Sequence, residues 1–358
     1  MRPTILEVDL KKLNNNINNI KKYVGNKKIM PVIKANGYGT YINKNIDFLN
    51  KFDIVAVAIV DEAIKLRNIG YKKEIFVLNP PYIEEIDEII ENDITVCLCE
   101  KTFLKNLNNI NDKIKVHLEI ETGMNRTGIN LSDLNEFINL IKENKNIIVE
   151  GIFTHLSSAD YDIKYTKEQL EKFNKSVDII KKEFDSIKYI HAEASNGLLN
   201  YNDDITNLVR PGIIMYGYES SIYTNEKIHI DPICKLKTKI IFIKDVNINE
   251  SISYSRKFIS KKNMKIATIP IGYADGLNRL LSNKGEVIVN GKKCKILGNI
   301  CMDSCMIDIT DIEDVNIGTD VYIWDNDIIK LEDIANVCNT INYEILSTIT
   351  DRVIRKFK

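Results

Sequence analysis

Between residues 30 and 215, short apolar runs recur at M-P-V-I-K-A, D-I-V-A-V-A-I, E-I-F-V-L-N, I-T-V-C-L-C, I-K-V-H-L-E-I, I-V-E-G-I-F-T-H, I-K-Y-I-H-A-E-A-S and N-L-V-R-P-G-I. Each has the length of a strand and is apolar at consecutive positions, the pattern of a strand covered on both faces. Charged amphipathic stretches of helical spacing, such as D-E-A-I-K-L-R-N-I and K-E-Q-L-E-K-F-N-K-S-V, separate most of them. The alternation predicts an α/β fold with an N-terminal (β/α)8 TIM-like barrel over residues 8–225. A doubly wound open sheet is the alternative, but no G-x-G-x-x-G turn follows the first strand.

After about residue 225 the texture changes. K-T-K-I-I-F-I-K, M-K-I-A-T-I-P-I-G, G-E-V-I-V-N-G-K-K-C-K-I-L-G and T-D-V-Y-I-W alternate or run apolar over strand lengths, with turns at Asn290-Gly291 and Gly318. Helical patterns are nearly missing until L-E-D-I-A-N-V-C. The prediction is a mostly β C-terminal domain over residues 226–358, to which residues 1–7 add a strand.

Composition narrows the function classes. A chain of 358 residues is long for one core, which agrees with two domains. Its 49 basic and 50 acidic side chains nearly cancel, so no global charge draws it to nucleic acid or anionic lipid. M-R-P-T-I-L-E-V-D lacks the layout of a secretory signal, and no uncharged apolar run approaches the length of a spanning helix. Seven cysteines, an odd number, suit a reducing compartment, and a cytoplasmic location is expected. Cys97 and Cys99 are read as facing opposite ways along a strand, and Cys301 and Cys305 lack a second ligand pair. No metal site is expected from either.

In a barrel of this kind, chemistry belongs at the C-terminal ends of the strands. Lys34 ends the first run, Glu119 and Arg126 flank the end of the fifth, and His155 ends the sixth. Ser195 ends the seventh, and Arg210 with Gly212 the eighth. A lysine there has a packed stem and a desolvated amine, which lowers its pKa and makes it a nucleophile toward an aldehyde. Tyr38 offers a hydroxyl that could hold an anion beside it.

The series V-I-K-A-N-G-Y-G, T-G-M-N-R-T-G, T-H-L-S-S-A-D, V-R-P-G-I-I-M-Y-G, S-Y-S, I-P-I-G-Y-A-D-G-L-N-R and I-C-M-D-S-C-M-I resembles the alanine racemase family, in family order and along nearly the whole chain. The resemblance implies pyridoxal 5'-phosphate on a barrel, followed by a β domain, in a homodimer with shared sites. It implies that Lys34 forms the internal aldimine and acts as one base, while Tyr254 from the other subunit is the opposite base. Two bases on opposite faces of one planar carbanion are what inversion at Cα requires. Arg210 would bond the pyridine nitrogen, and His155 would bridge Arg210 and Tyr254. Tyr38, Ser195, Gly212 and Ile213 would hold the phosphate. Arg126 and the backbone around Met302 would hold the substrate carboxylate, with Tyr273, Arg279 and Asp303 lining the entry from the second subunit.

Three positions depart from the family pattern. Glu119 stands where many relatives carry a carbamylated lysine, and is expected to pair with Arg126. Ala194 replaces an asparagine, whose polar contact would be lost or supplied by Asn196. Asp351 is aligned with a tyrosine that crowds the substrate side chain in alanine-specific members, and is expected to point elsewhere or pair with a cation, leaving a larger and more polar pocket. Racemisation of alanine is therefore expected, with serine beside it, and larger basic amino acids such as lysine or ornithine as the alternative. A decarboxylase for basic amino acids shares the architecture but lacks this motif series. A noncatalytic cofactor-binding protein needs no opposite-face base, and a sugar-processing barrel leaves Lys34 and Arg210 without roles.

Overall fold

The computed structural model describes residues 2–201, 203–219 and 228–358. Its first strand, β1 (Ile5–Val8), runs beside strands from the far end of the chain and lies outside the barrel. The barrel strands are β2 (Lys28–Ile29), β3 (Ile54–Val57), β4 (Glu74–Val77), β5 (Thr95–Leu98), β6 (Ile114–Glu119), β7 (Ile147–Phe153), β8 (Tyr189–His191) and β9 (Leu208–Val209). β3 to β8 form one parallel sheet in sequence order. β2 pairs in parallel with β9. Bridges Val32↔Ala56 and Ala194↔Arg210 join that pair to β3 and β8, which closes the ring.

The consecutive apolar positions have the cause inferred from the sequence. All four residues of β3 and of β5 are buried, with barrel interior on one side and helices such as Val60–Asn68 and Ile163–Ile180 in the connections. The first strand is shorter than the run M-P-V-I-K-A suggests. Regular pairing covers Lys28–Ile29, just ahead of that run. The N–H groups of Met30 and Val32 continue it to Val209 O and Pro211 O at 2.9 Å, and Pro31, with no N–H to give, accepts from Ala56 N–H at 2.8 Å.

The second unit is a nine-stranded sheet. β1 pairs antiparallel with β10 (Cys234–Lys239) and parallel with Ile354–Phe357, so both chain ends meet there. The stretch K-T-K-I-I-F-I-K, read as one strand, is divided between β10 and Phe242–Val246. Asn290-Gly291 turns the hairpin of Glu286–Val289 and Lys292–Leu297 with positive φ at both residues, the two-residue turn whose twist suits a hairpin. The junction expected at 225/226 lies outside the described residues. Among those residues, no helix is long and apolar enough to cross a membrane.

Candidate active site

Beyond Val32 the chain leaves the barrel wall through a left-handed turn. Ala35, Asn36, Gly37 and Tyr38 all have φ between 51° and 61°. For residues with a Cβ this conformation costs about 1–2 kcal/mol each, so the surroundings must hold it. Gly37 N–H donates to Ile33 O at 2.9 Å, Gly39 N–H to Ala35 O at 2.8 Å and Tyr41 N–H to Asn36 O at 2.7 Å. Gly39 is needed for contact as well as for conformation. A Cβ there would lie 2.2 Å from the carbonyl oxygen of Leu346, in the helix Asn342–Ser347 of the second unit.

The turn opens a cleft of about 390 Å³ at the C-terminal rim of the barrel. Lys34, Arg126, His155, Ser195, Arg210 and Gly212 line it together, so residues from five separate barrel loops meet as the rim argument requires. Burial lowers the pKa of the Lys34 amine, aided by the charges of Arg126 and Arg210 and opposed by Glu62. At one end of the cleft Gly212 N–H donates to Ser195 Oγ at 3.1 Å. Ile213 opens a 3-10 turn, where N–H groups have no partner within the turn itself. The buried Tyr38 hydroxyl lies so close to Gly212 that a Cβ added to the glycine would be 2.4 Å from it. Hydroxyls and amides facing one another without a fixed cation make a cup for an anion. Gly212→Ala should push Tyr38 out of this cup and weaken cofactor retention by roughly tenfold or more, a loss of one or two hydrogen bonds to a charged group. Cofactor titration of the purified variant measures it, and wild-type retention would mean the anion binds elsewhere.

Arg210 is 2% exposed, and its guanidinium is held by three partners. NH2 donates to the carbonyls of Thr154 at 2.8 Å and Ala192 at 3.1 Å, and NH1 lies 2.7 Å from His191 Nδ1. An arginine only donates, so Nδ1 of His191 is the acceptor and its Nε2 carries the hydrogen. That hydrogen points to His117 Nδ1 at 2.9 Å, which leaves the proton of His117 on Nε2, a buried atom with no partner. Phe153 stacks on His191 with centroids 5.1 Å apart, and Phe76 on His117 at 4.3 Å. The histidine relay behind Arg210 thus comes from β6 and β8. Within one chain it is His191 that bonds Arg210, while His155 feels Arg210 as a nearby charge. Sequence reading passed over His117 and His191, although a histidine inside an apolar strand was a visible signal for both.

These rings resist protonation. Burial first, then Arg210, lowers His117 to about 3 and His191 well below the ordinary value. A histidine depressed in the folded state leaves stability intact above its unfolded pKa. Stability is then lost as pH falls, because only the unfolded chain takes up the proton. The two rings should each remove about 1.4 kcal/mol per pH unit from about pH 6.5 downward. Denaturant midpoints measured across that window read the loss, and a flat profile would contradict it.

Glu119 is buried at the end of β6. Burial raises its pKa, against hydrogen bonds from Thr127 and Cys97 and the charges of Arg126 and Arg210. Its action on Arg126 is therefore electrostatic, and the direct pairing expected from sequence is replaced by the Cys97 thiol at 3.4 Å. The reading of Cys97 and Cys99 as opposed is also corrected. Residues two apart on a strand share a face, and their sulfurs converge with Glu119 within 4.8 Å. Burial holds the Cys97 thiol protonated, and two arginine charges face the carboxylate, so a dication would enter an unfavourable field.

Asp351 does not line the Lys34 cleft. It borders a separate cavity of about 460 Å³ behind the turn, with Ala35, Asn36 and Tyr41, and its nearest influence is on Arg355. From the second unit, Tyr343 lines the cleft, its ring 6.0 Å from that of Tyr38. The helix whose Leu346 carbonyl meets Gly39 carries Tyr343 to the rim.

Tyr254, Tyr273, Arg279, Met302 and Asp303 lie outside the cleft of their own chain. Tyr254 is 68% exposed, Met302 52% and Tyr273 43%. Hydrogen bonds tie most of this group together: Asn299 Nδ2 to Tyr254 O, Tyr273 N–H to Cys301 O, and Ala274 N–H to Met302 O. Arg2 donates to Asp303 O and pairs with buried Asp275, while Arg352 pairs with Asp303 at 2.6 Å.

A parallel barrel with a desolvated lysine after its first strand, an anion cup across the cleft and an antiparallel β unit alongside defines a barrel enzyme of the pyridoxal-phosphate class. Two family descriptions cover the chain, alanine racemase N-terminal domain over residues 8–220 and C-terminal domain over 233–357. The chain belongs to the alanine racemase family. It is 39% identical to alanine racemase 2 of Caldanaerobacter subterraneus subsp. tengcongensis over 99% of this chain and 95% of that protein. It is 38% identical to the alanine racemase of Methanococcus maripaludis, over 99% and 98%. Among solved structures it resembles the alanine racemase of Bacillus anthracis with bound L-Ala-P, with a TM-score of 0.93, 32% identity, and coverage of 100% and 95%.

Proposed function

We propose that this protein interconverts L- and D-alanine with pyridoxal 5'-phosphate held on Lys34, as a cytoplasmic homodimer whose subunits complete each other's sites. The observation that carries the reading is the convergence of Lys34, the Tyr38–Ser195–Gly212 cup and Arg210 in one cleft. These residues fit the cofactor: an amine for its aldehyde, neutral donors for its phosphate, and a guanidinium for its ring nitrogen. When bound, the cofactor supplies a conjugated ring that spreads the electron pair left on Cα.

The chain's own groups do the rest. Lys34 Nζ, with its pKa lowered, takes or returns the Cα proton on one face. Tyr254 Oη of the partner subunit serves the other face, and the exposed patch that carries Tyr254, Met302 and Asp303 is where a twofold partner would dock. Arg210 stays charged, since burial lowers it only to about 10, and it does not surrender its proton to the ring. Electron withdrawal is thus limited, which favours reprotonation at Cα over other outcomes. Arg126 receives the substrate carboxylate, and Tyr343 narrows the space left for its side chain.

Serine and larger basic amino acids call for a larger and more polar pocket, whereas Tyr343 takes up room in the Lys34 cleft and Asp351 lies outside it. Alanine is therefore the substrate the geometry favours. Formation of the D-isomer from L-alanine, L-serine and L-lysine tests this, with alanine expected to have the largest kcat/KM. Asp351→Tyr should leave the serine-to-alanine ratio unchanged. No turnover of L-alanine by the cofactor-loaded protein would remove the proposal.

A further inference from the structure

Glu62 lies in the first turn of the helix Val60–Asn68, where an acidic side chain is ordinarily a favourable partner of the helix N-terminus. One of its oxygens does act locally, accepting from Ala58 N–H at 2.8 Å. The other leaves its own element and accepts from Ala35 N–H at 2.6 Å. Ala35 is the residue directly after Lys34 and the first of the left-handed turn, with φ 51° and ψ 52°. One carboxylate therefore ties the β3-to-helix loop to the strained peptide that aims the lysine.

We infer that Glu62 is the positioning residue of Lys34, fixing the turn that directs the amine into the cleft and setting the local charge against which it ionises. The inference rests on the reading of Lys34 as the reactive amine. A strained turn persists only where its surroundings over-determine it, and Glu62 is the side chain that bonds the turn at its entry. The charges around the amine are Arg126 from the loop after β6, Arg210 from β9, neutral His155 beyond β7, and Glu62. Both arginines disfavour the ammonium form, and Glu62 is the group whose charge favours it. Removing that charge makes Lys34 easier to deprotonate while releasing the turn that aims it.

These consequences have opposite signs, and that separates the role from general structural support. In the full chain freed of cofactor, the pH dependence of Lys34 acylation, read by peptide mass mapping, reports the amine directly. Glu62→Gln keeps one acceptor oxygen and loses the charge, so its labelling curve should move to lower pH. In the cofactor-loaded enzyme the same variant should lose roughly tenfold or more in kcat with little change in KM, the signature of a misplaced group. Glu62→Asp keeps the charge and should label at the wild-type pH, although its shorter arm reaches one N–H less well. A Glu62→Gln curve that coincides with wild type would overturn the inference, whatever happens to turnover. The labelling measurement needs no racemase activity, so it stands or falls apart from the proposed reaction.

Discussion

Lys34→Ala is expected to abolish covalent cofactor attachment and racemisation together while leaving the fold in place. Lys34 is half-buried and faces the cleft, so its removal opens no cavity in the apolar core, and a stability change within about 1 kcal/mol is expected. Among the described residues no other lysine lines the cleft, so the chemistry has no substitute there. Of the other titratable groups there, burial and three nearby cations hold His155 down to about 3, and the buried Tyr38 hydroxyl is pushed far above its ordinary pKa. Borohydride reduction of the loaded wild type followed by mass mapping should place the label on Lys34 alone. Label on another lysine, or residual turnover in Lys34→Ala, would displace the residue from the centre of the proposed reaction.

Tyr254→Phe should retain the cofactor and lose on the order of 10²-fold or more in racemisation, as a missing general acid or base does. The tyrosine is 68% exposed in its own subunit and outside that subunit's cleft, so the proposed role requires a neighbouring subunit's cleft. Mixing inactive Lys34→Ala with inactive Tyr254→Phe should then restore activity, because one site of each mixed dimer receives both intact residues. A mixture that stays inactive after demonstrated subunit exchange would refute the shared site.

How far the site was legible depended on whether a residue's role follows from its own strand. Lys34, Ser195, Arg210 and Gly212 follow directly from the ends of apolar runs, and all four line the cleft. His191 and His117 stand inside such runs, and their roles appear only when β6, β8 and β9 are wound side by side. Glu62 looks like an ordinary acidic residue in a helical first turn until the Lys34 turn is folded against it. Tyr343 and Asp351 are eight positions apart near the end of the chain, and only the fold places the first at the Lys34 cleft and the second at the neighbouring cavity.

The sequence by itself determined the alternation of buried strands and amphipathic helices, the β-rich second unit and the Asn290-Gly291 hairpin. Burial on two faces, helical spacing and positive φ are requirements that neighbouring residues express locally. Tertiary structure alone decided which strands of the far end β1 pairs with, and that Glu119 of β6 converges on Cys97 and Cys99. It also brought Tyr343, on the helix whose Leu346 carbonyl meets Gly39, to the cleft. Such contacts join segments more than three hundred residues apart, as in Ile5 with Ile354 and Gly39 with Leu346. They depend on the packed shape of both units, and no local periodicity encodes that.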